Sequence, residues 1–456
     1  MDELRETIYK LGVSMNCNEL FYSADNHELT LHERTKLSKV VLDKGIAKKN
    51  ELIEFLREEL KGAFGCDVKF WLQGSYKSHT LIKPVDKFSS YDIDVGIYLF
   101  FDAEAEEINS KDVKDTLKDA LLSYCEINNE AKIQESKNAC EGLIFSSFLT
   151  IDTPIYYKTD TKLKLATDKG WSDSDPKAIQ DWLTNSHATK PDRALMKRLV
   201  RYFKAWVNVQ WHGTSFKKIP SLAINVLVAN NLNVHDREDD SFIHTVLAIC
   251  EQLERSMEVK NPLNGDNLLA MPDDALTFAY QKLQQLKKVC IDCIAANENE
   301  RNINFSNLFQ HYFPQVTIVS NGGGTGLPAI TTPPVISVCR YDKHGSHIET
   351  VLTDQLTVDK GDSLTFTICN SEFFNPYAQT KWTVRNVGSQ ANDANDIGHI
   401  EYGKPNESHK RGTSYTGSHT MECMVTYNGA VLGLKVIQVI VRPAISVKRP
   451  IRKFWR

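Results

Sequence analysis

The stretch from Trp71 to Val95 constrains the fold more than any other part of the chain, because it joins a strand, a tight turn and a second strand with two acids. Alternating apolar residues predict a first strand that ends at Gly74-Ser75, where the small pair opens a turn with exposed backbone N–H groups. The second strand carries Asp92 and Asp94. Because side chains alternate along a strand, both carboxylates point to the same face.

These two features suit different ligands. Backbone N–H groups at the start of a helical turn, beside a hydroxyl such as that of Ser75, form a cradle for the phosphates of a nucleoside triphosphate. Neighbouring carboxylates repel each other unless a cation lies between them, and a hard divalent ion prefers oxygen ligands. Asp152, in the run FLTIDTP, adds a third acid if a neighbouring strand brings it to Asp92 and Asp94. The alternative for the acidic pair is a solubility device on a strand edge.

Composition narrows the class of protein. A chain of 456 residues with 41% hydrophobic and 25% charged residues is typical of a globular protein with two or three domains. The formal net charge of −4 excludes a molecule that is basic throughout, so an anion site depends on local basic clusters. The sequence has no apolar run of membrane-spanning length, and it starts with acids where a signal peptide is basic. We therefore expect a cytoplasmic protein without membrane contact, with its ten cysteines as free thiols.

Changes in periodicity predict an α+β chain with several domains. A helical pattern over Leu29–Phe64 precedes the strand-rich region, helical patterns dominate the middle of the chain, and strand patterns follow a segment rich in Gly, Thr and Pro. The predicted segments are a strand-rich lobe with a long N-terminal helix at 1–170, a helical lobe at 171–318, a linker at 319–334, a β-sandwich at 335–445 and a basic tail at 446–456.

Two positions in the helical lobe are candidates for phosphate binding. The stretch Asp192–Trp211 predicts an amphipathic helix with a basic stripe that ends at Lys204, and this stripe is either a solvated face or a set of cations in the cleft. Ser221 follows Pro220 at the start of an apolar helix. Its hydroxyl suits both an ordinary N-cap and a contact with an anion at the helix N-terminus.

The order Gly74-Ser75, Asp92-Ile93-Asp94 and a separate strand acid, Asp152, resembles the polymerase-β-like nucleotidyltransferase superfamily. Within it, the chain is most similar to the bacterial relatives of cyclic GMP-AMP synthase, which make cyclic oligonucleotides in anti-phage signalling. The resemblance implies a nucleotidyltransferase sheet and a helical lobe that close a cleft over the nucleotide. It also implies that Asp92 and Asp94 hold two Mg²⁺ or Mn²⁺ ions, and that Asp152 helps to hold the ion that activates the acceptor hydroxyl.

The same resemblance implies a substrate-binding role for four more residues. Lys204 lies in the pattern Arg-x-x-Lys-x-Trp, which is similar to the family's helix whose lysine contacts the donor phosphates. The family commonly has a Pro-Ser pair where Ser221 stands, with the serine hydroxyl on the triphosphate. Gly74 and Ser75 form the phosphate turn.

Three segments near the C-terminus, KWTVRNVGSQA, YTGSHTMECMV and the final IVRP strand, resemble a sensor domain found fused to adenylyl and guanylyl cyclases and to these nucleotidyltransferases. The resemblance implies that this domain binds a small ligand. The loop between the first two segments is richer in Asn and Asp than the family pattern. The positions of interest are Trp382, Arg385, Asn386, Tyr415, Gly417 and His419.

The sequence therefore predicts an enzyme that joins ATP and other ribonucleoside triphosphates into a cyclic di- or oligonucleotide, a diffusible messenger that activates a separate effector in anti-phage defence. One alternative is a nucleotidyltransferase that adds nucleotides to RNA or protein, and another is a non-catalytic nucleotide sensor. The single basic stripe and the net charge of −4 argue against an RNA acceptor. The presence of Asp92, Asp94 and Asp152 argues against an inactive site.

Overall fold

The computed structural model describes residues 16–24, 29–102, 108–146, 149–315, 333–428 and 430–443. The chain divides into two compact units, Met1–Phe309 and Gln310–Arg456. The predicted linker at 319–334 lies almost wholly outside the described residues, and the predicted basic tail at 446–456 lies entirely outside them. The structural division falls at residue 309, whereas the sequence places the end of the helical lobe at 318.

The first unit contains an eight-stranded sheet with β2 at its centre. Its strands are β1 (Asp67–Gln73), β2 (Tyr91–Phe100), β3 (Ala131–Ile133), β4 (Glu141–Phe145), β5 (Leu149–Thr153), β6 (Ile155–Lys158), β7 (Leu163–Thr167) and β8 (Gly170–Asp173). The strand order is β3-β4-β5-β2-β6-β7-β8, and β1 also pairs with β2. β2 is antiparallel to β1 and parallel to β5 and β6. Its apolar side chains are buried except for Phe100 at its end, as expected for a central strand.

The sequence predicts one strand over Leu149–Tyr156, whereas the structure has two, β5 and β6, on either side of Pro154. Proline has no backbone N–H to donate to a strand ladder, so regular pairing is interrupted there. The Pro154 carbonyl still accepts a hydrogen bond from the Ile97 N–H at 2.9 Å, so both strands remain paired with β2.

The predicted helix over Leu29–Phe64 is also divided in the structure. The short helices α1 (Cys17–Phe21) and α2 (Leu31–Thr35) precede the long helix α3 (Lys39–Phe64). Ser38 starts α3, because its hydroxyl accepts a hydrogen bond from the Val41 N–H at 3.2 Å. Gly65, with φ of +62°, ends it.

The remaining helices of the first unit are α4 (Gly74–Lys77), α5 (Ser110–Ile127), α6 (Pro176–Asn185), α7 (Lys190–Trp211), α8 (Ser221–Asn231), α9 (Glu238–Arg255), α10 (Asp273–Ala295) and α11 (Glu298–Phe309). Edge-to-face aromatic contacts join several of them. Phe21 of α1 lies 5.4 Å from Tyr202 of α7 and 4.8 Å from Phe305 of α11, measured between ring centroids. Such contacts stabilise the helical core beyond simple burial. Within the described residues, no helix combines the length and apolar character needed to cross a membrane.

The second unit consists of two sheets packed face to face. Its strands are β9 (Ile336–Tyr341), β10 (His347–Leu352), β11 (Gln355–Asp359), β12 (Ser363–Ile368), β13 (Gln379–Val387), β14 (Gly398–Gly403), β15 (His409–Gly412), β16 (Gly417–Tyr427) and β17 (Ala430–Arg442). The orders are β10-β9-β12-β15 and β11-β17-β16-β13-β14. A short helix, α12 (Ser389–Asp393), lies between β13 and β14.

The architecture predicted from the sequence is confirmed: a mixed sheet with helices, followed by an all-β domain. In the first unit the sequence misses β3, β7 and β8, and in the second unit it misses β10, β11, β14 and β15. The four in the second unit are short and rich in polar residues, so the apolar alternation that identifies strands in a sequence is weak in them.

Candidate active site

Strand pairing brings the three predicted carboxylates to neighbouring positions. In the parallel pair β2–β5, Asp94 lies opposite Asp152, and Asp92 lies opposite Thr150. Because β2 alternates its side chains, Asp92 and Asp94 share one face, and direct pairing puts Asp152 beside Asp94. The Thr150 hydroxyl donates a short hydrogen bond to Asp92 Oδ1. The three acids thus form one cluster across two adjacent strands.

The surroundings of Asp92 and Asp94 destabilise the ionised form of both carboxylates. The pKa of Asp94 is raised to about 6, mainly because the surrounding protein excludes water and secondly because Asp152 and Asp92 add negative charge. Exclusion of water also raises the pKa of Asp92, against the effect of the Thr150 hydrogen bond. Burial and mutual repulsion therefore outweigh the stabilisation that the neighbouring lysines give to the ionised carboxylates.

The Gly74 turn lies directly against the Asp94 carboxylate. Gly74 has φ of +60°, a left-handed conformation that residues with a side chain rarely adopt. A Cβ atom at this position would clash with the carboxylate, since it would lie 2.6 Å from Asp94 Cγ. Glycine is required here for both reasons, and its absence of a side chain lets the turn approach the acids. Ser75 follows in α4 and is half-buried.

Helix α7 fixes this turn from the other side. Lys204 Nζ donates to the carbonyl and the hydroxyl of Thr80, at 3.1 and 3.2 Å. One residue earlier in the loop, the carbonyl of His79 accepts a hydrogen bond from Arg201 at 2.6 Å. Burial lowers the pKa of Lys204 to about 7, although the charge of Asp94 opposes this shift. The predicted phosphate ligand Lys204 therefore lies in the electrostatic field of the acids and contacts Thr80 in this structure.

Asp152 is engaged by a cation from the protein itself. Lys137, in the β3–β4 connection, donates to both Asp152 carboxylate oxygens at 2.8 and 2.6 Å. Gln134 Nε2 lies 3.3 Å from Oδ1 of the same carboxylate. Among the described residues, no three His, Cys, Asp or Glu side chains are arranged so that they could enclose a metal ion. Asp152 is next to Asp94 in the sheet, but its carboxylate binds Lys137.

The residues at the site nevertheless fit a divalent cation. The donors are carboxylate oxygens, which are the preferred ligands of Mg²⁺ and Mn²⁺. The pKa values of Asp92 and Asp94 are raised, first by burial, so their ionised forms are destabilised, and a bound cation would offset this. Lys137 shows that a cation is accommodated beside Asp152. Asp92 and Asp94 are therefore the residues best placed to hold a metal, and Asp152 would join them if Lys137 moved away.

Ser221 is the first residue of α8, is exposed, and is preceded by Pro220 at the N-cap position. The N-cap alternative for Ser221 is therefore wrong. Nearby, Lys218 donates to Asn208 Oδ1 at 3.0 Å, and its pKa is lowered by burial against the charges of Asp92 and Asp86. The segment before α8 thus lies within electrostatic range of the acids.

Sequence reasoning did not identify Lys137 or Lys218 as neighbours of the acids. Lys137 lies in a polar stretch that has no motif, and its position depends on Lys114, whose buried ammonium binds the Lys137 carbonyl at 2.7 Å. Lys218 stands beside Lys217 just before the Pro220-Ser221 pair, and this basic pair was the one available signal.

The sheet, the turn against Asp94 and the aligned acids define the class of protein, a nucleotidyltransferase. Residues 68–156 match the family model of the nucleotidyltransferase domain of DncV-like cyclic GMP-AMP synthases. Residues 325–442 match the adenylyl/guanylyl and SMODS C-terminal sensor domain. The family predicted for each of these two regions is confirmed.

A cyclic GMP-AMP synthase from Escherichia albertii is 71% identical over 442 residues, which cover 97% of this chain and 100% of that protein. The chain therefore belongs to the DncV-like family of cyclic GMP-AMP synthases. Two solved structures share the fold at 20% identity. DncV from Escherichia coli, in a 3′-deoxy GTP bound form, has a TM-score of 0.53 over 64% of this chain and 95% of its own. The corresponding Vibrio cholerae structure has a TM-score of 0.56 over 66% and 96%.

Proposed function

We propose that this protein joins ATP and GTP into cyclic GMP-AMP. The observation that carries the proposal is the cluster of Asp92, Asp94 and Asp152 across β2 and β5, with the Gly74 turn against it. The Escherichia albertii relative, which bears the name of a cyclic GMP-AMP synthase, supports this product because its similarity extends over nearly the whole chain.

In this proposal, the protein supplies positions and charges. Asp92 and Asp94 would hold two divalent cations, Mg²⁺ or Mn²⁺, and Asp152 would join them once Lys137 is displaced. When bound, these cations would neutralise charge on the triphosphate and favour deprotonation of the attacking hydroxyl. The backbone N–H groups of Gly74 and Ser75 face the phosphates, and Ser221 donates its hydroxyl to them. Lys204 either contacts the phosphates directly or keeps the phosphate turn in place through Thr80.

The other sequence predictions remain part of the proposal. They are the division into lobes at 170 and 318, a cytoplasmic location, a role in anti-phage defence, a downstream effector reached by the diffusible product, and a small ligand at the C-terminal domain. None of them is needed for the chemistry of the acidic cluster.

The test is incubation of the full chain with Mg²⁺ or Mn²⁺ and each combination of radiolabelled nucleoside triphosphates, followed by phosphatase treatment and separation of the products. We expect a phosphatase-resistant product only when ATP and GTP are both present. The double variant Asp92→Asn/Asp94→Asn should give none. Asp119→Asn, an exposed aspartate on α5, is the matched control and should retain activity.

Parallel reactions with a labelled RNA oligonucleotide separate this function from polymer extension. A lengthened RNA with no resistant product would favour the RNA-directed alternative. A resistant product that persists in the double variant would show that the acidic cluster is not the catalytic centre.

A further inference from the structure

The interior of the second unit contains a group of polar side chains where its two sheets meet at one side. Strands β14 and β15 are edge strands of their respective sheets. In β14, His399 and Glu401 pair with Val384 and Trp382 of β13. Directly paired residues share a face of the sheet. Both Val384 and Trp382 belong to the apolar core, so His399 and Glu401 also face the interior.

The facing strand β15 contributes two further inward side chains. His409 pairs with Phe366 of β12, and Arg411 pairs with Leu364. Phe366 and Leu364 are fully buried core residues. His409 and Arg411 are therefore directed between the sheets, towards the polar side chains of β14.

A fifth polar side chain, His419, enters from β16. It pairs with Asn386, which lies two residues beyond Val384 on β13 and so shares the inner face. We call the set of His399, Glu401, His409, Arg411 and His419 the inner cluster, and Trp382 borders it.

Direct contacts hold the inner cluster together. Glu401 is its centre: it lies 3.1 Å from His409 Nδ1, and it accepts a hydrogen bond from an Arg411 terminal nitrogen at 2.9 Å. His399 Nε2 lies 3.7 Å from the same carboxylate. The His409 and Trp382 rings are 4.9 Å apart. His399 and Glu401 are each 41% exposed, so the cluster opens to solvent on this side.

Several buried nitrogens in this region lack a hydrogen-bond partner. Among the described residues, Trp382 Nε1, Arg411 Nε and His419 Nε2 have none. These side chains are only 0%, 9% and 7% exposed. Indole and guanidinium nitrogens can only donate, so neither can be satisfied by a change of tautomer. A buried polar nitrogen without a partner destabilises the folded protein, so three such nitrogens in one region require an explanation.

Protection of the sheet edges explains only part of this arrangement. Inward-pointing charged residues on edge strands prevent pairing with other chains, and the Glu401–Arg411 pair fits that role. Trp382 and His419, however, lie on β13 and β16, which are interior strands of their sheet. Their unpaired nitrogens have no function in edge protection. Burial, and after it the charges of Arg411 and His399, lower the pKa of His419 to about 4.

We propose that the inner cluster binds an oxyanion of the phosphate type through Arg411, His419 and Trp382. An oxyanion offers several acceptor lone pairs to convergent donors, and bonds between guanidinium and phosphate are among the strongest hydrogen bonds in proteins. Glu401 leaves Arg411 Nε free for such a ligand, and the exposed side of the cluster at His399 and Glu401 provides the entry. This inference does not depend on the catalytic proposal, because it concerns residues of the second unit only.

The test follows the indole N–H of Trp382 by NMR in the full chain labelled with ¹⁵N at tryptophan. The resonance is assigned as the one that disappears in Trp382→Phe. Inorganic phosphate and a nucleoside monophosphate, GMP, are titrated separately, and chloride at the same ionic strength is the blank. We expect a saturable shift with phosphate and none with chloride. Because the signal arises from Trp382 itself, phosphate at the acidic cluster of the first unit does not interfere.

Arg411→Gln should weaken phosphate binding about tenfold or more, as expected for the loss of a charged donor. Arg442→Gln is the matched control, because this exposed arginine of β17 lies in the same unit and pairs with Asp359. If Arg411→Gln fails to fold, His419→Gln provides the same comparison. Tighter binding of GMP than of phosphate would identify the ligand as a larger phosphomonoester, and equal binding would identify the phosphate group alone. The absence of a saturable shift with either ligand, or an equal affinity in the Arg411 variant, would overturn the proposal.

Discussion

Replacement of Asp94 by asparagine should stabilise the metal-free protein while it removes activity. The pKa of Asp94 is about 6 in the folded protein, against an ordinary value of 3.8. A difference of about two pH units corresponds to about 3 kcal/mol of unfavourable free energy when the carboxylate is ionised. Asparagine keeps the shape of the side chain and removes the charge. We therefore expect Asp94→Asn to raise the free energy of unfolding by up to about 3 kcal/mol.

The stability difference between the wild type and Asp94→Asn should depend on pH. Between about pH 4 and 6 the folded state binds the Asp94 proton more tightly than the unfolded state, so wild-type stability falls as the pH rises through this window. Above pH 6 the penalty is complete. Urea unfolding in EDTA at several pH values should therefore show that the wild type and Asp94→Asn are similar near pH 4 and differ most above pH 6.

Two controls make this comparison decisive. Asp119→Asn removes an exposed carboxylate and should not change stability in this way. Addition of Mn²⁺ should stabilise the wild type, because a ligand that binds only the folded state shifts the equilibrium towards it, and should stabilise Asp94→Asn less. If Asp94→Asn is no more stable than the wild type at pH 7.5 in EDTA, the idea of an uncompensated carboxylate at this position is wrong.

Two further substitutions test other parts of the site. Gly74→Ala should abolish nucleotide transfer, because the new Cβ clashes with the acidic cluster. The control is Gly213→Ala, since Gly213 has a similar φ of +73° but open space around it. This control should lose about 1–2 kcal/mol of stability, measured as a lower Tm, and should retain activity. Lys137→Met removes the ammonium from Asp152 and should tighten Mn²⁺ binding several-fold in EPR titrations, since a competing surface ion pair contributes up to about 1 kcal/mol. Lys132→Met, in the same hairpin, is its control, and equal Mn²⁺ affinities in the two variants would show that Lys137 does not compete with metal.

The sequence predicts part of the acidic cluster for a local reason. Asp92 and Asp94 share a face because any strand alternates its side chains, whatever the strand pairs with. The position of Asp152 depends instead on the pairing of β5 with β2, which is a property of the whole sheet; only the family resemblance indicated it. The position of Lys137 is still harder to predict from the sequence, because the loop that carries it is held by Lys114 of helix α5.

In the second unit, too, the sequence predicts which face of a strand a side chain occupies but not which residues it contacts. Trp382 and Arg385 are both positions of interest in the sequence, but they are three residues apart on one strand and therefore face opposite sides. Arg385 is buried on the outer face, where it donates to the Phe313 carbonyl at 3.0 Å and stabilises the start of this unit. Trp382 faces the interior beside His409. Strand alternation predicts from the sequence that Trp382 and Arg385 lie on opposite faces. The partners of Trp382 depend on β14 and β15, which the sequence did not predict.

The two polar clusters of the chain are unbalanced in opposite directions, and this difference determines what each can bind. In the first unit, burial and the mutual repulsion of Asp92, Asp94 and Asp152 outweigh the effect of the nearby cations, and the pKa of Asp94 is raised. In the second, buried donors outnumber acceptors around Arg411 and His419. Each imbalance destabilises the protein without a ligand, and an apolar substitution would remove it. Cations are therefore expected to stabilise the first unit and oxyanions the second, so that each ligand raises the unfolding temperature of a different part of the chain.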